Sequence, residues 1–168
     1  MRQAIVSDIH GNLEALEAVL IDIQTQQVDE ILCLGDVLGY GPNPRECVEK
    51  AGIFKFALRG NHEAAVLFIA MDFNVDASQS IEWTRAQLNS KQCPKEKNHA
   101  LWNFLGGLTD SQSSPDGNVM YVHGSPRMPT REYIRPVDGS DESKMLEIYA
   151  AMQHVCFNGH THEPGVFT

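Results

Sequence analysis

The sequence predicts an α/β protein whose sheet is largely parallel, at least through its first three strands. Short β-rich runs alternate with helical patterns along the chain, and alternation of that kind implies right-handed crossovers between neighbouring parallel strands. The length of 168 residues suits one domain, 1–168, with room for a real core. A composition of 42% hydrophobic and 21% charged residues is that of a globular chain and argues against disorder.

Each element follows from its local pattern. A strand is expected over 3–7. Asn12 then makes a good N-cap for a helix in which Leu13, Leu16, Val19, Leu20 and Ile23 share one face. A second strand is expected over 30–34. Proline suits the first turn of a helix, so the next helix starts at Pro44 and runs to about residue 51. After a third strand over 54–58, helical patterns cover 63–70, 77–88 (Ile81, Thr84 and Leu88 facing inward) and 95–105. Residues 109–118, rich in Ser, Asp, Gly and Pro, read as an exposed loop. Strands over 119–122 and 155–157 flank a long ordered loop over 124–136, which carries three prolines, and a helix over 140–152.

Charge and composition exclude several functions. Thirteen Lys and Arg against 22 Asp and Glu leave a net charge of −9, with no basic run, which argues against a duplex nucleic-acid partner. The longest apolar stretches, 64–71 and 19–21, fall far short of the roughly 20 residues of a membrane span. The first residues enter a strand pattern without a signal-peptide apolar region, so a soluble, cytoplasmic protein with no membrane partner is expected. Cys33, Cys47, Cys93 and Cys156 are scattered, as suits reduced thiols rather than a disulfide framework. There is no P-loop and no dinucleotide fingerprint, and Ser125 lacks the G-x-S-x-G context of a hydrolase nucleophile.

The informative pattern lies at the C-terminal end of each apolar run: Asp8-Ile9-His10-Gly11-Asn12, Gly35-Asp36, Arg59-Gly60-Asn61-His62-Glu63, His123-Gly124 and Gly159-His160-Thr161-His162. Ligands of open α/β sheets bind outside the carboxyl ends of the strands, so these distant segments are expected to converge. Asp8 and His10, like His160 and His162, are two residues apart and point the same way in extended backbone. Seven donors result: Asp8, His10, Asp36, Asn61, His123, His160 and His162. They are too many for one four-coordinate ion and suit two ions sharing a carboxylate. The absence of cysteine favours an N/O site for two divalent ions, manganese first, with iron, zinc, cobalt or nickel as alternatives. Two such ions form a clamp for phosphate-ester hydrolysis, one lowering the pKa of a bound water while both hold phosphoryl oxygens. His99 and His154 lie outside every block and read as ordinary surface residues, and Trp83 and Trp102 as packing residues.

These five blocks, in this order over residues 8 to 162, resemble the calcineurin-like metallophosphoesterase superfamily. The segments Gly35-Asp-Val-Leu-Gly-Tyr-Gly-Pro-Asn-Pro and His123-Gly-Ser-Pro look closest to its small, single-domain bacterial and archaeal branch. The resemblance implies two β-sheets sandwiched between helices. It also implies a first ion held by Asp8, His10, Asp36 and His162, and a second held by Asp36, Asn61, His123 and His160. His62 would sit beyond the metals, stabilising or protonating the leaving oxygen, with Glu63 orienting its imidazole. Substrate contacts are expected from Asn12, Arg59 and Arg127, with Tyr40 and Arg131 as further candidates. The implied activity is that of a phosphodiesterase or phosphatase acting on a small phosphate ester or nucleotide. The alternative is a metal-binding scaffold without turnover. Relatives continue past His162 with strands that complete the second sheet, so part of that sheet is expected to be missing here. The edge left open would invite homo-oligomerisation.

Overall fold

The computed structural model describes residues 1–71 and 73–168. Strands β1 (Gln3–Val6), β2 (Glu30–Cys33) and β3 (Phe56–Ala57) form a parallel sheet in that order. Their side chains alternate with the period of two that a pleated strand imposes. Val6, Ile31, Cys33 and Ala57 pack on one side, while Ile5, Leu32, Phe56 and Leu58 pack on the other.

Helices α1 (Leu13–Thr25), α2 (Pro44–Ala51), α3 (Asn61–Leu67), α4 (Val75–Leu88) and α5 (Lys95–Gly106) cover the first of those sides. Leu16, Val48, Ile81, Leu88, Leu101 and Leu105 make the buried seam. A second sheet of β4 (Ser111–Ser113), β5 (Val119–Val122) and β6 (Val155–Phe157) meets the other side, where Tyr121 packs against Leu32, Leu34 and Leu58. In it β4 runs antiparallel to β5, and β6 parallel. Helix α6 (Glu142–Ala150), entered through a 3₁₀ turn at Pro136–Ser140, packs Met145 and Ile148 on Ile134 and Phe167. The class is therefore α/β, with two small sheets face to face and helices packed around them.

The differences from expectation are local. Strand β4 forms inside the segment expected to be a loop. All three of its residues are exposed, and only pairing with β5 makes it a strand, so no apolar pattern announces it. Helix α3 begins two residues early, at Asn61, because the Glu63 carboxylate turns back to accept from the Gly60 N–H at 2.8 Å. Val19 and Trp83, expected inward, are 44% and 41% exposed. Trp102 is half-buried, its indole N–H donating to Asn89 Oδ1 at 3.1 Å. Among the described residues, no helix is long and apolar enough to cross a membrane.

Candidate metal centre

The loops that leave β1 and β2 are bound to each other by backbone hydrogen bonds. Asp8 N–H donates to the Gly35 carbonyl at 3.0 Å, His10 N–H to Asp36 at 2.9 Å and Gly11 N–H to Val37 at 2.9 Å. To make these turns Asp8, His10 and Asp36 adopt the left-handed region, with φ of 54°, 49° and 53°; His160 and His162, beyond β6, do the same at 69° and 57°. Such backbone is uncommon for residues other than glycine and costs on the order of 1–3 kcal/mol each where it is strained. Five of the seven donor residues share it, so the rest of the fold holds the site in a conformation that these residues would not choose. Two glycines permit the close approach. A Cβ on Gly60 would run into the Asp36 carboxylate, and one on Gly159 into Ser7 Oγ and the Asp8 carboxylate.

The seven donors expected from the sequence come together in two groups. In one, His162 Nε2 lies 3.1 Å from both Asp8 Oδ1 and His10 Nε2. In the other, His123 Nε2 lies 3.2 Å from Asp36 Oδ2, 3.1 Å from His160 Nδ1 and 3.0 Å from Asn61 Oδ1. Asp36 stands between them, 3.7 Å from His10 Nε2. His123 and Asp36 are fully buried, whereas the His162 side chain is 53% exposed.

Three rings are oriented by backbone carbonyls. His10 Nδ1 donates to Leu38, His123 Nδ1 to Leu34 and His160 Nε2 to Arg131, at 3.3, 3.1 and 3.1 Å. Each ring therefore turns its other nitrogen, with its lone pair, into the cluster, the arrangement typical of metal-ligating histidines. Converging imidazole lone pairs and carboxylates repel one another unless a proton or cation lies between them. Divalent ions thus fit the donor set. A proton can stand in for that cation: burial alone would raise the Asp36 carboxyl, but protonated His123 and then His62 and His10 hold it well below the usual carboxylate range. Burial, followed by the neighbouring His123, pushes His160 down to about 4.

One expected position and four expected roles need correction. His62 lies within the cluster rather than beyond it, its donor atom close to those of His10 and Asp36. Burial pushes its pKa down to about 4, so the ring is neutral at pH 7. Glu63 does not orient that ring by a hydrogen bond, since His62 Nδ1 is buried without a partner. The Glu63 carboxylate is spent on the N–H groups of Asp36, Leu38 and Gly60, at 2.8, 3.2 and 2.8 Å. Burial and then the Asp36 charge push it upward. Asn12 caps α1, its Oδ1 accepting from Ala15 N–H at 3.0 Å. Arg59 donates to the Leu108 carbonyl, pairs with Asp110 at 3.5 Å and lies over the Phe68 ring. Arg127 clamps Glu132 and Glu147, tying the 124–135 loop to α6. For Glu63, Asn12, Arg59 and Arg127 a polar group close at hand has claimed the side chain.

Two tyrosines flank the donors. Tyr40 packs on His10 and His62, with ring centroids 4.9 and 4.5 Å apart. Tyr133, not singled out from the sequence, stacks on His160 at 3.7 Å. A lone aromatic in a proline-rich loop has no spacing signal that could have found it.

The profile of the family described as calcineurin-like phosphoesterase matches residues 1–164. An uncharacterised protein of Methanocaldococcus jannaschii is 35% identical over 167 residues, which is 97% of this chain and 63% of that protein. A crystal structure of a metallophosphoesterase from Sphaerobacter thermophilus is similar at 37% identity and a TM-score of 0.74, covering 98% of this chain and 62% of that one. The crystal structure of a proposed diadenosine tetraphosphatase, at 26% identity, gives 0.52 over 82% of this chain and 54% of its own. This chain thus spans about 63% of the length of the curated relative it matches. From its family profile and from these relatives, the chain belongs to the calcineurin-like phosphoesterase family.

Proposed function

We propose that this protein is a metal-dependent phosphoesterase that hydrolyses a small phosphodiester, phosphomonoester or nucleotide. The observation that carries the reading is the pair of His/Asp groups meeting at one buried carboxylate, Asp36. Asp8, His10, Asp36 and His162 would hold one ion, and Asp36, Asn61, His123 and His160 a second, with manganese as the expected metal. When bound, such ions supply Lewis-acid stabilisation of phosphoryl oxygens and make water nucleophilic at neutral pH.

The chain's own residues do the rest. Asp36 and the oriented imidazoles fix where the phosphoryl group can sit. As the P–O bond to the leaving group breaks, that oxygen gathers charge and takes up a proton from solvent. Neutral His62, in the middle of the cluster, can donate a hydrogen bond there without first being charged. A net charge of −9 favours a small substrate over duplex nucleic acid. Relatives described as a metallophosphoesterase and as a proposed diadenosine tetraphosphatase support phosphate esters, nucleotides among them.

The test is turnover of p-nitrophenyl phosphate and bis-p-nitrophenyl phosphate by the manganese-loaded protein, with and without EDTA. Chelator-sensitive release is expected, falling by roughly 10²–10⁴-fold in His62→Ala with the bound metal retained. Two equivalents of bound metal with no release from either ester would instead favour a metal-binding scaffold.

A further inference from the structure

A cavity of about 100 Å³ opens directly beside the donors, and its wall changes character across its width. Asn61 and His160 form the side that belongs to the metal centre, Ile69, Met71, Phe73 and Tyr133 form an apolar and aromatic wall, and Arg131 also lines the cavity. Ile69 and Met71, 72% and 54% exposed, form an apolar lip. Two of these residues also touch the histidines: Phe73 meets the His62 ring edge-on with centroids 5.0 Å apart, and Tyr133 stacks on His160. Tyr40 packs on His10 and His62, with ring centroids 4.9 and 4.5 Å apart.

A phosphoryl group bound at the centre must point its organic substituent somewhere. A hollow along α1, lined by Ile5, Ile9, Asn12 and Val19, touches the centre at Asp8 alone, whereas Asn61 and His160 both line the cavity beside Tyr133. The 124–126 segment, fully buried beside His123, offers no opening. The cavity does, and its size and lining select what can enter. About 100 Å³ is less than the closed cavity of about 150 Å³ that holds benzene, so this open cavity takes no more than a single ring. Flat aromatic faces and thioether and aliphatic edges favour a planar ring over a polar chain. We propose that this cavity is the subsite for the organic group of the substrate, and that it selects aryl phosphate esters over small alkyl esters. Ile69, Met71, Phe73 and Tyr133 are then specificity-determining residues. The inference rests on the phosphoesterase reading for the position of the phosphoryl group.

Binding of non-hydrolysable phosphonates separates the two claims. Calorimetric titration of the manganese-loaded protein with phenylphosphonate and with methylphosphonate is expected to show about a tenfold preference for the phenyl compound, about 1.4 kcal/mol. In the double variant I69S/M71S the preference should fall to about twofold, because the exposed apolar lip is lost while the core is untouched. Equal affinity in the parent protein, a preference unchanged in the double variant, or no binding of either phosphonate would overturn the subsite. Loss of p-nitrophenyl phosphate turnover alone, with the phenyl preference intact, would sink the esterase reading and leave the subsite standing.

Discussion

Four of the donors follow the parallel strands of the first sheet, and three follow β5 and β6 of the second, and the two sets are held differently. Behind Asp8, His10, Asp36 and Asn61 lies a lattice of main-chain bonds. The loop at 8–11 is hydrogen-bonded to that at 35–37, Gly41 N–H returns to the His10 carbonyl at 2.8 Å, and His62 N–H reaches Asp36 Oδ1 at 2.9 Å. Behind His160 and His162 the attachment is thinner. Gly159 N–H binds the His123 carbonyl at 3.0 Å, and His160 N–H reaches across to the Asp8 carboxylate at 3.0 Å. Strand β6 leading into them shows Val155 and Phe157 to solvent, 46% and 42% exposed. The first half presents a preorganised set of ligands. The second half leans on the first through the same carboxylates that would hold an ion, so binding of an ion there does more of the ordering.

The sharpest way to break that contrast is Asp36→Ala, because Asp36 serves both groups. It should lower phosphatase turnover by about 10³-fold or more, the scale of losing Lewis-acid stabilisation worth several kcal/mol. Elemental analysis should show bound metal falling below one equivalent per chain. In His162→Ala the loss should be confined to the first group, leaving the second group's ion in place. Retention of two equivalents in Asp36→Ala would show that no carboxylate is shared and that the halves bind independently.

Next in size is Glu63→Ala, which tests whether the first half is braced from inside. Three buried N–H groups would lose their acceptor. Each unsatisfied group costs about 1–3 kcal/mol, and shared relaxation brings the total to roughly 3–5 kcal/mol. For a chain of this length that lowers Tm by about 10 °C, and Glu63→Gln, which keeps one carbonyl oxygen, should lose about half as much. Calorimetric melting of both variants decides it. A Glu63→Ala melt within about 2 °C of the parent would mean that the loops stand without this brace.

Much of this is legible in the sequence, and the reason is physical. Parallel strands buried on both faces leave apolar runs such as Ile31–Leu34, and the residues just past each run must lie at one edge of the sheet, so the pattern alone gathers the donors. The features that escape it depend on contacts between distant segments. Adjacency pairs Glu63 with His62, yet its partners Asp36 and Leu38 are 27 and 25 residues away. Arg59 and Arg127 look free as charges near a phosphate site, but Asp110 and Glu132 claim them. Strand β4 exists only because β5 lies beside it. Composition reveals that a charge is present and says nothing of what neutralises it.

The smallest effect concerns how the second half secures its long loop. Glu132 accepts from Ser125 Oγ and from Arg127, whose Nε lies 2.8 Å from Oε2. The hydrogen bond from Arg127, with that from Ser125, holds its carboxyl below the ordinary value of 4.5 against the opposing effect of burial. A carboxyl with a depressed folded-state pKa contributes stability above its unfolded pKa and loses it as pH falls through the folded one. The anchor should therefore be intact at pH 7 and be lost in acid, as the pH falls through a folded-state value that lies below 4.5. On metal-stripped protein, Glu132→Gln should melt about 2 °C below the parent at pH 7, the scale of a partly exposed ion pair. In acid, once the pH lies below the depressed folded-state value and the parent's own carboxyl is protonated, that gap should close. A gap of the same size at both pH values would mean that packing, not charge, secures this loop, and the second half would then resemble the first more closely than its exposed strand suggests.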